Sequence, residues 1–272
     1  MLLGRIGVFD SGVGGLTVAS RLMSEAPHLA LHYFGDTAHV PYGNRPAEEV
    51  TRLVEDITDY LVRSGVSAVV MACNTSNALA IDRIRQWCPV PLIGIIEPAA
   101  RAAVQATRNG RIGVIANPIT AASGAYERAA AAVPACKERL LKVYPVGCPK
   151  LVPLIETGRV NSPEAREALM EYLEPLIERS VDTLVLGCTH YPFLTHLIRD
   201  IMGPDVVIID PGASVIHELC KHGVTRTQTQ GHIFEVSGCP GDFETHGPRL
   251  IGYHIQNVRQ VTGLTPPARI AV

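Results

Sequence analysis

Residues 67–77 read SAVVMACNTSN, an unbroken apolar run that delivers a cysteine, Cys73, into a string of small polar residues. The phrase returns at residues 183–192 as TLVLGCTHYP, where Cys188 again ends the run and a threonine follows it. Runs this short and this rich in Val and Leu predict buried strands rather than helices. Six further runs have the same character: RIGVFD (5–10), LALHYFGD (29–36), PLIGII (91–96), RIGVIA (111–116), LLKVYPV (140–146) and VVIID (206–210). Between them lie stretches of helical period, notably 46–65 and 162–180, the second opening on the helix-start signal Ser162-Pro163-Glu164. Alternation of buried strands and amphipathic helices predicts an α/β fold, with mostly parallel sheets covered by helices on both faces.

The two halves echo each other. RIGVFDSG at residue 5 matches RIGVIANP at 111, Cys73 matches Cys188, and IIEPAA at 95–100 matches IIDPGA at 208–213, in one order and at nearly one separation. This predicts a duplication: two pseudo-symmetric lobes with an active-site cleft between them. The acid-Pro steps Glu97-Pro98 and Asp210-Pro211 are natural crossing points, giving lobe one as 1–97 plus 212–272 and lobe two as 98–211. In the tail, QGHIFEVSG offers one last strand before a Gly/Pro-rich exit.

Composition narrows the class. At 272 residues and 47% hydrophobic, the chain has core enough for two modest lobes. A net charge of −2 without a basic stripe argues against nucleic acid as a partner. No apolar window reaches a membrane span and MLLGR lacks the features of a signal peptide, so a cytoplasmic protein is expected. Seven cysteines, an odd number, point to free thiols in a reducing compartment, and without CxxC or a spaced Cys/His quartet no metal is expected. A homodimer is compatible with the sequence.

A lone Cys at a strand end is usually a small core residue. That reading is kept for Cys88, Cys136, Cys148, Cys220 and Cys239, which have no counterpart in the repeat. For Cys73 and Cys188 the duplication favours chemistry. Two thiols on opposite walls of a cleft suit inversion at a carbon, one removing a proton from one face while the other returns one to the opposite face. A thiol pKa near 8.5 lets neighbours hold one group as thiolate and the other as thiol.

No cofactor is expected for this chemistry. Pyridoxal phosphate needs a lysine, and Lys137, Lys142, Lys150 and Lys221 do not end strands. DSGVGG (10–15) is an incomplete dinucleotide fingerprint, with Thr17 in place of the third glycine. Around the same cleft, Asp10 and Ser11 leave a strand, Pro41-Tyr42-Gly43 makes a turn able to offer backbone donors to an anion, and Asn74, Thr75 and Thr189 flank the thiols. His190 either caps the next helix or shares the Cys188 proton.

Six motifs in order, FDSGVGGLTV, FGDTAHVPYG, MACNTSNA, IGIIEPAARA, CPKLVPLIETG and LGCTHYPFL, resemble the glutamate racemases, cofactor-independent enzymes that make D-glutamate for the bacterial cell wall. The resemblance implies that Cys73 and Cys188 are the catalytic thiols, assisted by Asp10 on the first wall and by Glu156 and His190 on the second. It implies substrate contacts from Asp10, Ser11, Tyr42, Gly43, Asn74, Thr75, Thr120, Thr189 and His190. Two departures stand out. Asn77 is bulkier than the family's residue, and Ala116-Asn117-Pro118-Ile119-Thr120 keeps only Thr120 of the usual stretch. Other expectations compatible with the residues are a racemase of aspartate or a related substrate, and a two-lobed amino-acid binding protein without chemistry. With four residues before the first strand, dependence on wall precursors through an N-terminal extension is not expected.

Overall fold

The computed structural model describes residues 4–134, 140–224, 226–227 and 231–264. The chain divides into two compact units, Met1–Gly94 with Val215–Val272, and Ile95–Ser214. Cys136 and Lys137 lie outside the described residues.

The first unit holds strands β1 (Ile6–Asp10), β2 (Leu31–Gly35), β3 (Ala68–Met71) and β4 (Leu92–Gly94). The second holds β5 (Arg111–Ala116), β6 (Lys142–Gly147), β7 (Thr183–Gly187) and β8 (Val207–Ile209). The tail returns to the first unit as β9 (Ile233–Val236) and β10 (Arg259–Gln260). The first sheet runs β10-β9-β2-β1-β3-β4 and the second β6-β5-β7-β8. Every pairing in both is parallel. Without the two tail strands, the sheets have one order, with β1, β2, β3 and β4 answering to β5, β6, β7 and β8. Cys73 follows β3 and Cys188 follows β7, so the thiols leave corresponding strands.

Successive side chains of a strand point to opposite faces, and both faces of the first sheet are covered. Phe9, Phe34, Val69 and Met71 share one core with Val50, Val54, Ile57 and Leu61 of α2 (Ala47–Arg63) and Ala80, Ile81 and Ile84 of α3 (Asn74–Arg85). On the other face Tyr33 meets the rings of Phe234 and, from the tail helix Pro240–Ile251, Phe243. The α2 stripe recurs every three or four residues, with Glu48 and Glu49 in its first turn and Arg63 in its last, each favourable to the helix dipole. The other predicted helix forms as Pro163–Glu178, capped by the Ser162 side chain, which accepts from Ala165 N at 3.2 Å.

Three readings of the sequence need correction. The crossings fall at Gly94/Ile95 and Ser214/Val215. Glu97-Pro98 lies in the first turn of the helix Ile96–Ala106, where a proline is tolerated and an acidic side chain is favoured. The step therefore opens a helix. Cys220 and Cys239 are exposed rather than core residues, one on the helix Val215–Lys221 and the other at the N-cap of the tail helix, while Cys88 is half-buried and Cys148 fully buried. The Gly/Pro-rich exit contains that tail helix, whose Pro240 occupies the first turn.

The Asn77 departure has a steric counterpart. A Cβ on Gly94 of β4 would lie 2.6 Å from Asn77 Oδ1 and 2.4 Å from Ile81 Cδ1. Asn77 is 3% exposed and fills the space that glycine leaves. Gly94→Ala is expected to cost about 1–3 kcal/mol of stability through overpacking, read as a lower urea midpoint. Adding Asn77→Ala should recover part of the loss, and an unchanged midpoint in the single variant would show that both side chains swing aside freely.

Candidate active site

In the first unit β1 ends at Asp10, whose Oδ1 accepts from Gly12 N at 2.9 Å, turning the chain away from the sheet. Ala72 N bonds Phe9 O at 2.9 Å and carries the β3 ladder one residue further, so that Cys73 emerges beside β1. Cys73 is the N-cap of α3, and Sγ accepts from Ser76 N at 3.5 Å. Its S–H points at Ser11 Oγ, 3.6 Å away. A helix N-terminus and hydroxyl donors favour thiolate. Burial outweighs them: the Cys73 thiol, 5% exposed, is pushed up to about 11, first by desolvation and then by the negative charge of Asp10. Near neutral pH the resting group is therefore a thiol beside a buried carboxylate. Transfer of its proton to Asp10 would relieve the charge that opposes thiolate.

Asn74 and Thr75, in the first turn of α3, are buried beside Cys73, and Tyr42 is buried in a short 3-10 turn, Tyr42–Asn44. The Tyr42 hydroxyl donates to Asp36 Oδ2 at 2.5 Å. Burial, then the Asp36 charge, hold that phenol well above its ordinary range. What Tyr42 and Gly43 can present to a ligand is their backbone. Asp36 was missed from sequence, although its place at the end of the second strand run is the same signal that singled out Asp10.

In the second unit Cys188 follows β7 directly and is half-buried. Its Sγ lies 3.8 Å from His190 Nδ1. His190 Nε2 lies 3.1 Å from Glu156 Oε1, at the end of the helix Leu151–Glu156. A carboxylate partner requires the proton on Nε2, which leaves Nδ1 as the acceptor facing the thiol. His190 is the N-cap residue of the 3-10 turn that follows and its carbonyl accepts from Phe193 N at 3.2 Å, but its side chain makes no capping hydrogen bond, so a side-chain cap is set aside. Glu156, which sequence pattern alone makes a solvated helix charge, orients the imidazole. Thr189 is buried beside them, and Thr120 is buried in the helix Pro118–Ala122.

The altered stretch before Thr120 has a local logic. Asn117 is an N-cap whose Oδ1 accepts from Ile119 N at 3.1 Å, and Pro118 takes the position where no N–H is needed. Cys148 also lies near this site, beneath Tyr191, whose hydroxyl donates to Cys148 O at 3.2 Å. Burial pushes the Cys148 thiol up to about 12, which suits an inert core residue. Among the described residues, no group of three or more His, Cys, Asp or Glu side chains could hold a metal ion. No helix among them is long and apolar enough to cross a membrane.

Two sheets that share one order of four strands, each with a cysteine just past a matched strand and a carboxylate or imidazole near it, define a class that comparison with known proteins identifies. The family described as Asp/Glu/Hydantoin racemase matches residues 17–219, and the chain belongs to it. It is a cofactor-independent amino-acid racemase, an isomerase. The glutamate racemase of a Nostoc strain is 46% identical over 253 residues, covering 91% of this chain and 85% of its own. Glutamate racemase RacE1 of Bacillus anthracis superposes with a TM-score of 0.89 at 36% identity, covering 96% of this chain and 98% of that one. The Francisella tularensis enzyme, solved in complex with D-glutamate, gives 0.86 at 30% identity over 97% and 99%.

The first-unit electrostatics can be tested without substrate. Because the Asp10 charge raises the Cys73 pKa, Asp10→Asn should lower it, while the Asn side-chain oxygen can still accept from Gly12 N. Iodoacetamide labelling of Cys73, followed by peptide mapping against pH, should rise with a midpoint near 11 in the wild type and at lower pH in the variant. An unshifted midpoint would mean that burial alone sets the thiol.

Proposed function

We propose that this racemase interconverts L- and D-glutamate, with Cys73 and Cys188 acting on opposite faces of the α-carbon. The observation that carries the reading is the matched placement of the two thiols, at the ends of β3 and β7 in sheets of the same strand order. The naming of the relatives supports glutamate as substrate.

In each direction one cysteine enters as thiolate and the other as thiol. The thiolate takes the α-proton, the electron pair of the broken C–H bond is left on the α-carbon and its carboxylate, and the opposing thiol protonates that carbon from the other side. The enzyme ends with thiol and thiolate exchanged, and proton transfer through the helpers resets it. Asp10 serves Cys73, while His190 held by Glu156 serves Cys188. Ser11, Tyr42, Gly43, Asn74, Thr75, Thr120 and Thr189 are assigned to substrate contacts, where donors fixed on the carboxylate would stabilise the charge that develops in the transition state. By the same resemblance, Cys73 takes its proton from D-glutamate and Cys188 from L-glutamate, and the product supplies peptidoglycan synthesis in the cytoplasm.

In deuterated water the wild type should exchange the α-proton of L-glutamate while its optical activity decays. Cys73→Ala and Cys188→Ala should each lower racemisation by at least about a hundredfold, the scale of a lost acid or base. Near-wild-type turnover in either variant removes the two-thiol reading, and binding without exchange removes racemisation of glutamate altogether.

The helpers make a finer prediction. Asp10→Asn should depress kcat more from D-glutamate, and His190→Asn more from L-glutamate. Since the enantiomers are equal in energy, kcat/KM stays equal in the two directions for every variant, so the asymmetry resides in kcat and KM taken separately. Equal effects on kcat in both directions would make these residues substrate contacts only.

A further inference from the structure

We propose that the C-terminal segment is a working part of the substrate site, and that Ser237 is a positioning residue that fixes the loop carrying Tyr42 and Gly43. The inference rests on the assignment of those two residues as substrate contacts. Strand β9 lies beside β2, and one residue past its end Ser237 N still bonds Gly35 O at 3.0 Å. From there the tail grips the following loop with three more hydrogen bonds. Ser237 Oγ donates to Asp36 Oδ1 at 2.6 Å and accepts from Ala38 N at 3.0 Å, while Gly238 N donates to Thr37 Oγ1 at 3.0 Å.

Asp36 is the hub. It is 1% exposed, its Oδ1 also meets His39 Nδ1 at 2.7 Å, and its Oδ2 takes the Tyr42 hydroxyl. Ser237 is thus two hydrogen bonds from the Tyr42 ring and is the hub's donor from outside the loop. Gly238 shows how close the approach is: a Cβ there would lie 2.7 Å from Thr37 Oγ1 and 3.2 Å from Ala38 N. A hydroxyl that both donates to the hub and receives a loop N–H fixes the loop in direction as well as distance. The thiol chemistry does not pass through it.

Removing that hydroxyl should weaken substrate binding and leave the chemical step alone. Ser237→Ala should raise KM for both L- and D-glutamate by about fivefold, the scale of one hydrogen bond, with kcat within about twofold of the wild type. Ser237→Thr keeps the hydroxyl and should restore KM. Thr37→Ala, which removes the acceptor for Gly238 N, should raise KM in the same direction and carries the test if Ser237→Ala does not fold. An unchanged KM in folded Ser237→Ala or Thr37→Ala overturns the proposal. So does a loss of kcat at constant KM, the signature of a smaller folded fraction, or a folded Ser237→Thr that fails to restore KM. A wild type that does not racemise glutamate overturns the functional reading itself and is recognised before any variant is made.

Discussion

Parallel pairing places the carboxyl ends of all strands at one edge of a sheet, and in this chain that edge is where chemistry-bearing residues collect. In the first unit Asp10, Asp36 and Cys73 all leave strand ends within one or two residues of their ladders. In the second unit Asn117, Cys148, Cys188 and Asp210 do the same. None of these side chains is brought there by a long loop. The strand order and the direction of pairing suffice, which is why one duplicated order yields two comparable clusters of polar groups.

The clusters are comparable without being copies, and the difference is chemical. Where β1 ends in Asp10, the matched residue of β5 is Ala116; where Cys188 is followed two residues on by His190, Cys73 is followed by Thr75. A titratable neighbour of each thiol therefore comes from a different place, Asp10 at the end of β1 and His190 two residues past Cys188. A carboxylate beside a buried thiol opposes ionisation by its charge and assists it only by taking the proton. An imidazole 3.8 Å from sulfur can assist while neutral, and becomes a favourable cation once it holds the proton. The proposed helpers differ in this way, and the thiols differ with them, Cys73 being buried and Cys188 half-buried.

Strands and helices were legible because burial on both faces leaves unbroken apolar runs, and because α2 and the helix after Ser162 carry full-length stripes with end signals. The strand-end places of Cys73, Cys188 and Asp10 were legible because these residues punctuate such runs. What escaped was long-range or local in a way composition hides. Glu156 meets His190 across thirty-four residues of sequence, and no periodicity announces it; only the family resemblance did. The tail helix was hidden because Pro240, Gly241, Gly247 and Pro248 read as a loop, although a first-turn proline is compatible with a helix. Glu97-Pro98 misled in the same way, since an acid-Pro step marks a helix start as readily as a linker.

The remaining departure from the family pattern illustrates how a substitution can change residues and keep a geometry. At Asn117-Pro118 the side-chain oxygen satisfies an early helix N–H and the proline removes another donor, so the turn after β5 is closed by side chains native to helix starts. The comparable turn after β1 is closed by Asp10 on Gly12 N at 2.9 Å. Both solve the same backbone problem with an oxygen placed two residues before the N–H it accepts. In the first unit that oxygen belongs to the residue that also sets the Cys73 charge balance, whereas in the second the cap and the proton acceptor are separate side chains. Asp10 therefore carries a structural and an electrostatic constraint at once, and Asn is the substitution that separates them.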